Sequence, residues 1–385
     1  MTEDTRFDSD AEMGRTMVFA PSTLALAGIP AEQQREHVLT MVEGPTRGLR
    51  LPLGLSPLCI GRHPDNTLCI PDAGVSSHHC EISVPPGSVD ARVADRGSTN
   101  GSFLEGVRVQ GSAAFPPGAM LRIGRVLLKH EVLLASELAQ AEEHARDLEK
   151  ARHYVQSLLP APIEDGPLRT DWVFQPSAQL GGDVFGYQQL DAQTFAGYLV
   201  DVSGHGVGAA MHGVSVMNVL RQRALPQADL REPAQVLRSL NEMFQMDSHD
   251  GMFFSVWYGV YDTGTRELRY ASGGHHPSYL RAPGAALEPL QTRNLVIGAM
   301  PGMQFRDART VVAPGSRLYI FSDGVFEVAT RDGGQWGLPD FLPVLAAGPE
   351  AGLSESARIL REVRKVAREG PFDDDFSAVT VTFPS

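Results

Sequence analysis

The chain has 385 residues, enough for two or three domains at roughly 100–200 residues each. Its formal net charge is −13, and a chain this acidic lacks the basic surface that nonspecific binding to nucleic acids or anionic membranes requires. Hydrophobic residues make up 42% of the chain, which is sufficient for packed cores. The chain has no apolar run of membrane-spanning length, and its 3 cysteines form no CxxC pair. We therefore expect a cytoplasmic protein with reduced cysteines and no structural zinc.

The N-terminal part divides into a tail and a region of short strands. Residues 1–36 begin polar and acidic and are predicted to be a flexible tail. Residues 37–130 contain short apolar runs, such as Leu58-Cys59-Ile60 and Met120-Leu121-Arg122-Ile123, which Gly and Pro separate. Many short strands at this spacing predict an all-β sandwich.

Residues 131–160 are predicted to form a helical linker. Residues 131–159 contain no Gly or Pro and are rich in strong helix formers. Residues spaced alternately by four and three form a heptad seam, with a charge at one core position. The seam consists of Leu134, Leu138, Ala141, Ala145, Leu148, Arg152, Val155 and Leu159. This pattern predicts a coiled coil and a homodimer, and the alternative is a single amphipathic helix lying on a domain.

Strands and helices alternate in residues 161–385, which predicts a domain of mixed α/β type. The predicted strands are residues 195–200, 253–260, 317–321 and 378–383, and the predicted helices are residues 207–224, 233–246 and 353–369.

Three loop motifs of the β region carry side chains that suit a phosphate. They are Gly61-Arg62, Val75-Ser76-Ser77-His78-His79 and Asp95-Arg96-Gly97-Ser98-Thr99-Asn100-Gly101. Arginine offers a planar fork of donors, and serine hydroxyls and an asparagine amide can complete the binding shell. In this order and spacing the motifs resemble the forkhead-associated (FHA) domain over about residues 37–130.

The FHA resemblance implies an eleven-stranded β-sandwich that binds phosphothreonine peptides. The implied phosphopeptide-binding residues are Arg62, Ser76, Ser77, Thr99 and Asn100. Arg62 and Ser76 would contact the phosphate, while Asn100 would hold the peptide backbone and Thr99 would shape the loop. Ser77 stands where many members have a basic residue, so this chain loses one possible phosphate contact. His79 is expected to brace the loops.

Aspartates recur beside glycines and strand-like runs in the C-terminal region. They occur in Gly181-Gly182-Asp183, after the predicted strand 195–200 at Asp201, in Ser322-Asp323-Gly324 and in Asp373-Asp374-Asp375. Carboxylates brought together repel each other unless cations occupy the site. Ligand sets made of oxygen select Mg²⁺ or Mn²⁺ over Zn²⁺.

These motifs, with Gln156-Ser-Leu-Leu-Pro160, Ala271-Ser-Gly-Gly-His275-His276-Pro277 and Asp323-Gly-Val-Phe-Glu327, resemble the PPM, or protein phosphatase 2C-like, fold in its bacterial SpoIIE/RsbU branch. The resemblance spans about residues 150–385. It implies a central antiparallel β-sandwich flanked by helices, and hydrolysis of phosphoserine or phosphothreonine by a water activated between two Mn²⁺ or Mg²⁺ ions.

The resemblance also implies roles for single residues. The implied catalytic residues are Asp183, Asp201, Asp323 and Asp374, and the implied metal ligands are these four with the carbonyl of Val202 and with Asp375. The alternative for Asp375 is that it contacts the metal ligands and does not itself bind metal.

Four further positions near these motifs carry expectations of their own. Gly186 stands where many relatives have a further Asp. His205 is a weaker candidate for proton transfer, His275 is expected to be structural or near the substrate, and His276 is expected in an exposed loop.

The leading hypothesis is a protein serine/threonine phosphatase of bacterial signalling, linked to an FHA domain that binds phosphothreonine partners. Its relatives suggest a STAS-type anti-sigma-factor antagonist as the substrate. The alternative is an inactive pseudophosphatase that acts as an FHA adaptor. Thr16 in the tail is a candidate phosphorylation site that the FHA domain could bind.

Overall fold

The computed structural model describes residues 34–384, apart from residues 55, 178–179 and 249–250. Thr16 lies outside the described residues. The chain divides into two compact units between Gln140 and Ala141.

The N-terminal unit is a sandwich of two sheets, as the spacing of its apolar runs predicted. One sheet has the strand order β2-β1-β11-β10-β7-β8 and the other has the order β4-β3-β5-β6-β9. The strands are β1 (Arg35–Glu43), β2 (Arg50–Pro52), β3 (Leu58–Gly61), β4 (Leu68–Cys69), β5 (Cys80–Ser83), β6 (Ala91–Asp95), β7 (Ser102–Leu104), β8 (Val107–Arg108), β9 (Ser112–Phe115), β10 (Met120–Ile123) and β11 (Val126–Leu134). Alternate side chains point inward along the strands, so that Ile60, Val93 and Leu121 are fully buried in the core.

The end of β11 differs from the prediction of a helix from residue 131. Leu134 pairs with Arg35 and Leu133 with Glu36, so β11 continues along β1 to its end. Helix α1 (Ala135–Leu158) begins only after this ladder, where the Glu137 carboxylate accepts a hydrogen bond from the Leu134 N–H at 3.3 Å. The first predicted heptad position, Leu134, therefore lies in a strand.

The C-terminal unit contains two antiparallel five-stranded sheets with helices outside them, which confirms the predicted fold class. The sheet orders are β12-β21-β20-β17-β18 and β13-β14-β15-β16-β19. The elements are β12 (Arg169–Gln175), β13 (Val184–Gln189), β14 (Thr194–Val202), α2 (Val207–Arg221), α3 (Pro233–Met243), β15 (Phe254–Asp262), β16 (Glu267–Gly273), β17 (Ser278–Arg281), β18 (Glu288–Leu290), β19 (Ala308–Val311), β20 (Arg317–Phe321), α4 (Leu338–Ala347), α5 (Glu355–Val366) and β21 (Phe376–Thr382). Apolar residues of both sheets, including Phe185, Trp257 and Ile320, form the core between them. None of the described helices is long and apolar enough to span a bilayer.

The second half of α1 packs on its own unit. Leu148, Ala151 and Val155 contact a small apolar cluster that contains Leu180 and Ala210. Leu148 and Val155 are heptad positions, so this half of the seam already has an apolar partner within the chain. The packing favours the amphipathic-helix alternative here, and the predicted homodimer remains a prediction.

Candidate phosphopeptide and metal sites

The loops after β3, β4 and β6 meet through hydrogen bonds between predicted phosphopeptide-binding residues. The Arg62 N–H donates to the Ser76 carbonyl at 2.9 Å, and the Thr99 N–H donates to Ser76 Oγ at 3.0 Å. The Asn100 side-chain amide donates to the Gly74 carbonyl at 2.9 Å. The side chains of Arg62, Thr99 and Asn100 are exposed. The structure therefore brings these three loops together and leaves the Arg62 guanidinium facing solvent.

Ser77 enters this arrangement through its backbone, and Asn66 is a residue that the sequence reasoning missed. The Ser77 carbonyl accepts hydrogen bonds from the His63 N–H at 3.1 Å and from the Asn66 side-chain amide at 2.7 Å. Asn66 is only 5% exposed, so its amide ties two loops together away from water. A Cβ atom at Gly61 would overlap the Ser77 carbonyl, which explains the glycine before Arg62.

His79 braces the loops, in agreement with its predicted structural role. The ring is fully buried, and Nδ1 accepts a hydrogen bond from the Ser76 N–H at 3.1 Å. Nε2 lies 3.3 Å from the Gly101 carbonyl, so this nitrogen carries the proton. Burial lowers the pKa of His79, which keeps the ring neutral and maintains this tautomer.

Asp95 anchors the loop that carries Thr99 and Asn100. Its carboxylate accepts hydrogen bonds at 2.7 Å from both the Ser98 and the Ser102 hydroxyl, and at 2.9 Å from the Ser98 N–H. Burial acts to raise the pKa of Asp95, but these hydrogen bonds outweigh it and lower the pKa to about 2. An Asp followed by Ser at the third and seventh positions was the available sequence signal.

Four of the predicted metal-site aspartates lie where β13, β14, β20 and β21 begin or end, so they come from both sheets of the C-terminal unit. Asp183 directly precedes β13, Asp374 lies two residues before β21, and Asp323 begins a short turn after β20. Asp201 was predicted to follow its strand, but it lies within β14 and pairs with Ser255 of β15. Because the two sheets face each other, these positions bring the four carboxylates to one edge of the sandwich.

The carboxylates of this cluster raise one another's pKa. Burial, followed by the charges of Asp323 and Asp374, raises the pKa of Asp201 to about 7. Burial, followed by the charges of Asp374 and Glu327, raises the pKa of Asp323 to about 6. Glu327 is exposed and entered the prediction only as part of a motif, so its electrostatic contribution was not foreseen. A site of this kind stabilises a bound cation, because the cation removes the repulsion.

Asp183 has the most strongly perturbed environment of the four. It is 2% exposed, and its Oδ2 atom has no hydrogen-bond partner among the residues that the structure describes. Burial, followed by the charges of Asp201 and Asp375, raises its pKa well above the ordinary value. A buried carboxylate oxygen without a donor is costly, and a cation would satisfy it.

Asp375 is occupied by contacts with the segment before β13. Its carboxylate accepts hydrogen bonds from the Ser177 N–H at 2.9 Å, from the Ser177 hydroxyl at 3.1 Å and from the Asp183 N–H at 3.3 Å. A Cβ atom at Gly181 would overlap this carboxylate, which explains that glycine. These contacts favour the alternative in which Asp375 positions Asp183 instead of binding metal.

The residues of this cluster fit a hard divalent cation. Their side chains offer oxygen alone, and the Val202 carbonyl faces Gly182, where a Cβ atom would come within 2.9 Å of it. Within the described part of the chain, no three His, Cys, Asp or Glu side chains form a group that could hold one ion. A cation here would complete its shell with carbonyl oxygen and water, as Mg²⁺ usually does.

The three histidines near these motifs have different environments. His276 was expected in an exposed loop, but its half-buried ring lies 4.8 Å from that of Phe321 and 5.0 Å from that of Phe326, because it fills an apolar space. His275 is buried with Nδ1 2.8 Å from the His276 carbonyl, consistent with a structural role. His205 is exposed, and its charge opposes the rise that burial causes in the pKa of Asp374.

Comparison with known proteins agrees with both parts of this description. Residues 191–384 match the family described as Stage II sporulation protein E (SpoIIE), and residues 58–124 match the FHA domain. The chain is 27% identical to phosphoserine phosphatase RsbP of Bacillus subtilis over 47% of this chain and 45% of RsbP. It is 38% identical to the FHA domain-containing protein FhaB of Mycolicibacterium smegmatis over 30% of this chain and 80% of FhaB.

The fold of the C-terminal unit also has a solved counterpart. The SiaA-PP2C domain of Pseudomonas aeruginosa superposes with a TM-score of 0.53 at 20% identity, covering 64% of this chain and 99% of that domain. The SpoIIE match extends over half of the chain, although the chain spans less than half of RsbP. The chain belongs to the SpoIIE family and carries an FHA domain in its N-terminal unit.

Proposed function

We propose that the C-terminal unit is a metal-dependent phosphatase acting on phosphoserine and phosphothreonine in proteins. The observation that carries this proposal is the set of four aspartates from both sheets, with Asp183 Oδ2 buried and without a partner among the described residues. The similarity to RsbP, which is named a phosphoserine phosphatase, agrees with this activity.

In this proposal Asp183, Asp201, Asp323, Asp374 and the Val202 carbonyl hold two Mg²⁺ or Mn²⁺ ions. Bound ions of this kind supply a water of lowered pKa and neutralise charge on phosphate oxygens. Two of the chain's own groups act around them.

The Asp375 carboxylate orients Asp183 by accepting a hydrogen bond from the Asp183 backbone N–H, and it fixes the preceding loop by accepting hydrogen bonds from Ser177. His205, the weaker candidate for proton transfer, is exposed and acts electrostatically on Asp374, which supports a role in proton exchange with a leaving group.

We further propose that the FHA domain binds phosphothreonine through Arg62, Ser76, Thr99 and Asn100. The three loops are joined by hydrogen bonds of the chain itself, which limits the ordering cost of binding. Ser77 contributes its backbone to the loop and offers no positive charge. Binding of this kind would recruit the phosphatase to phosphorylated partners.

The biological setting that we propose is cytoplasmic bacterial signalling, with a STAS-type anti-sigma-factor antagonist as the phosphoserine substrate. Homodimerisation through the linker helix is also part of this proposal.

The test is a phosphatase assay on the full chain with a phosphoserine protein and with p-nitrophenyl phosphate. Asp201→Asn should reduce kcat by about a hundredfold or more in Mn²⁺ or Mg²⁺, since it removes a central carboxylate. Asp307→Asn is the matched control, because Asp307 is exposed and lies outside the cluster. In the same preparations, Arg62→Ala should abolish binding of a phosphothreonine peptide without changing hydrolysis of the small ester. Arg47→Ala is its exposed control.

The outcomes separate the proposal from its rival. Wild-type hydrolysis that persists in Asp201→Asn would show that the carboxylate cluster is not the catalytic site. Phosphothreonine binding without any metal-dependent hydrolysis would instead support the pseudophosphatase adaptor.

A further inference from the structure

The C-terminal unit has a cavity of about 300 Å³, and the residues that line it lie outside the carboxylate cluster. Its walls are the segment of residues 157–161 at the end of α1, residues 185–188 of β13, Tyr198 of β14, and Met217 and Arg221 of α2. This volume is in the range of small-molecule sites. Asp and Glu are absent from the residues that line it.

Tyr198 presents an unused hydroxyl to this cavity. The residue is 4% exposed, and its ring stacks on Tyr258 with the centroids 6.4 Å apart. The hydroxyl lies over Gly186, where a Cβ atom would overlap it. We find no hydrogen bond from this hydroxyl to any residue within the described ranges. The hydroxyl opens onto the cavity, so an acceptor placed there can take its hydrogen bond without displacing a contact within the chain.

Arg221 supplies a positive charge at the mouth of the same cavity. It is exposed, and its Nη1 atom lies 3.5 Å from the Leu158 carbonyl, at the long limit for a hydrogen bond. Tyr198 and Arg221 line the same cavity, and the charge of Arg221 opposes the rise that burial causes in the pKa of Tyr198.

Two other polar side chains of the lining are already used. The Tyr187 hydroxyl donates to the Ala161 carbonyl at 2.7 Å, and the Gln188 side-chain amide donates to the Leu220 carbonyl at 3.0 Å.

We propose that this cavity binds a small organic anion, a carboxylate or a phosphate, that carries an apolar body. Its acceptor oxygens would take the Tyr198 hydroxyl and the Arg221 guanidinium, and its body would lie against Met217 and Leu158. The ligand would bridge the end of α1 and β13, and β13 begins directly after Asp183. Because the proposal concerns binding alone, it stands or falls separately from the phosphatase activity.

The test is calorimetry of the full chain in EDTA with two probes, naphthalene-2-carboxylate and benzylphosphonate. EDTA removes divalent cations, so the carboxylate cluster keeps its negative charge and does not attract either anion. We expect saturable binding of at least one probe, and the preferred probe identifies the anionic group. Tyr198→Phe and Arg221→Gln should each weaken binding at least about tenfold, since each removes a hydrogen bond to a charged group.

Arg238→Gln is the matched control, because it removes the same charge from an exposed position on α3. Tryptophan-fluorescence melting shows whether each variant is folded, and Arg221→Gln changes an exposed side chain that the core does not need. Absence of saturable binding at millimolar probe would overturn the proposal, and so would equal binding of uncharged naphthalene-2-carboxamide. Binding that survives both variants, or that is lost in Arg62→Ala, would place the anion elsewhere.

Discussion

Raising the pH should destabilise the C-terminal unit when no metal is present. The pKa of Asp201 is about 7 in the folded chain, against 3.8 for an ordinary aspartate. The folded state therefore keeps a proton that the unfolded state releases. The resulting stabilisation is fully present below pH 3.8 and is lost as the pH rises through about 7. At about 1.4 kcal/mol per pKa unit, the full effect is about 4 kcal/mol.

Tryptophan fluorescence can follow this effect in the intact protein, because Trp172, Trp257 and Trp336 all lie in the C-terminal unit. Between pH 5 and pH 8 the loss is about 3 kcal/mol, which corresponds to a fall in Tm of roughly 5–10 °C in EDTA. Added Mg²⁺ or Mn²⁺ should raise Tm most at pH 8, because a cation binds the ionised carboxylates.

Asp201→Asn separates this explanation from a general effect of pH. The amide has nearly the same shape and does not ionise, so the variant should have a flatter pH dependence and a higher metal-free Tm than wild type at pH 8. Asp323→Asn should act in the same direction but less, since the pKa of Asp323 is about 6. A metal-free Tm that is constant or rises between pH 5 and pH 8 would refute the reasoning. Equal slopes in wild type and both variants would also refute it.

Two further predictions concern buried ionisable groups elsewhere in the chain. Arg358 and Glu355 form a buried ion pair at 2.7 Å, so Arg358→Leu should cost about 3–5 kcal/mol in the tryptophan melt, and Glu355→Leu in the same chain should restore most of it. If the double variant were as unstable as the single one, the loss would reflect packing. The N-terminal unit should lose stability below about pH 6.5, because burial lowers the pKa of His37 and of His130 and the folded state resists protonation. All three tryptophans lie in the C-terminal unit, so calorimetry is needed to follow the unfolding of the N-terminal unit. An N-terminal transition whose Tm does not fall between pH 7 and pH 5 would contradict this prediction.

The sequence predicted elements well where local pattern decides the structure. The predicted strand of residues 317–321 has the same bounds as β20, and the predicted helix starts at residues 207 and 233 agree with α2 and α3. The prediction of a helix from residue 131 was wrong, because strand pairing overrode helix propensity up to Leu134. Val132, Leu133 and Leu134 find partners in β1, almost a hundred residues earlier in the chain.

The candidate sites show the same division between local and distant information. Aspartates beside strands and glycines could be recognised from their neighbours, so the approximate location of the carboxylate cluster was predictable. The role of Asp375 depends on Ser177, which is 198 residues away, and no local pattern contains that contact. Asn66 was missed because its side chain joins two loops, whereas asparagine is common in turns for purely local reasons.

The two sites differ in how far they are completed by the chain itself. In the FHA domain, Asp95 accepts hydrogen bonds from its own loop and His79 joins two loops, so the chain's own contacts hold the backbone of the site. In the C-terminal unit, Asp183 is buried with an oxygen that has no hydrogen-bond partner among the described residues, and burial and neighbouring carboxylates raise the pKa of Asp201 to about 7. The first site gains contacts when its ligand binds, whereas the second is also relieved of repulsion. Cation binding should therefore contribute to the stability of the C-terminal unit. Phosphopeptide binding, by contrast, should leave the backbone of the N-terminal unit nearly unchanged.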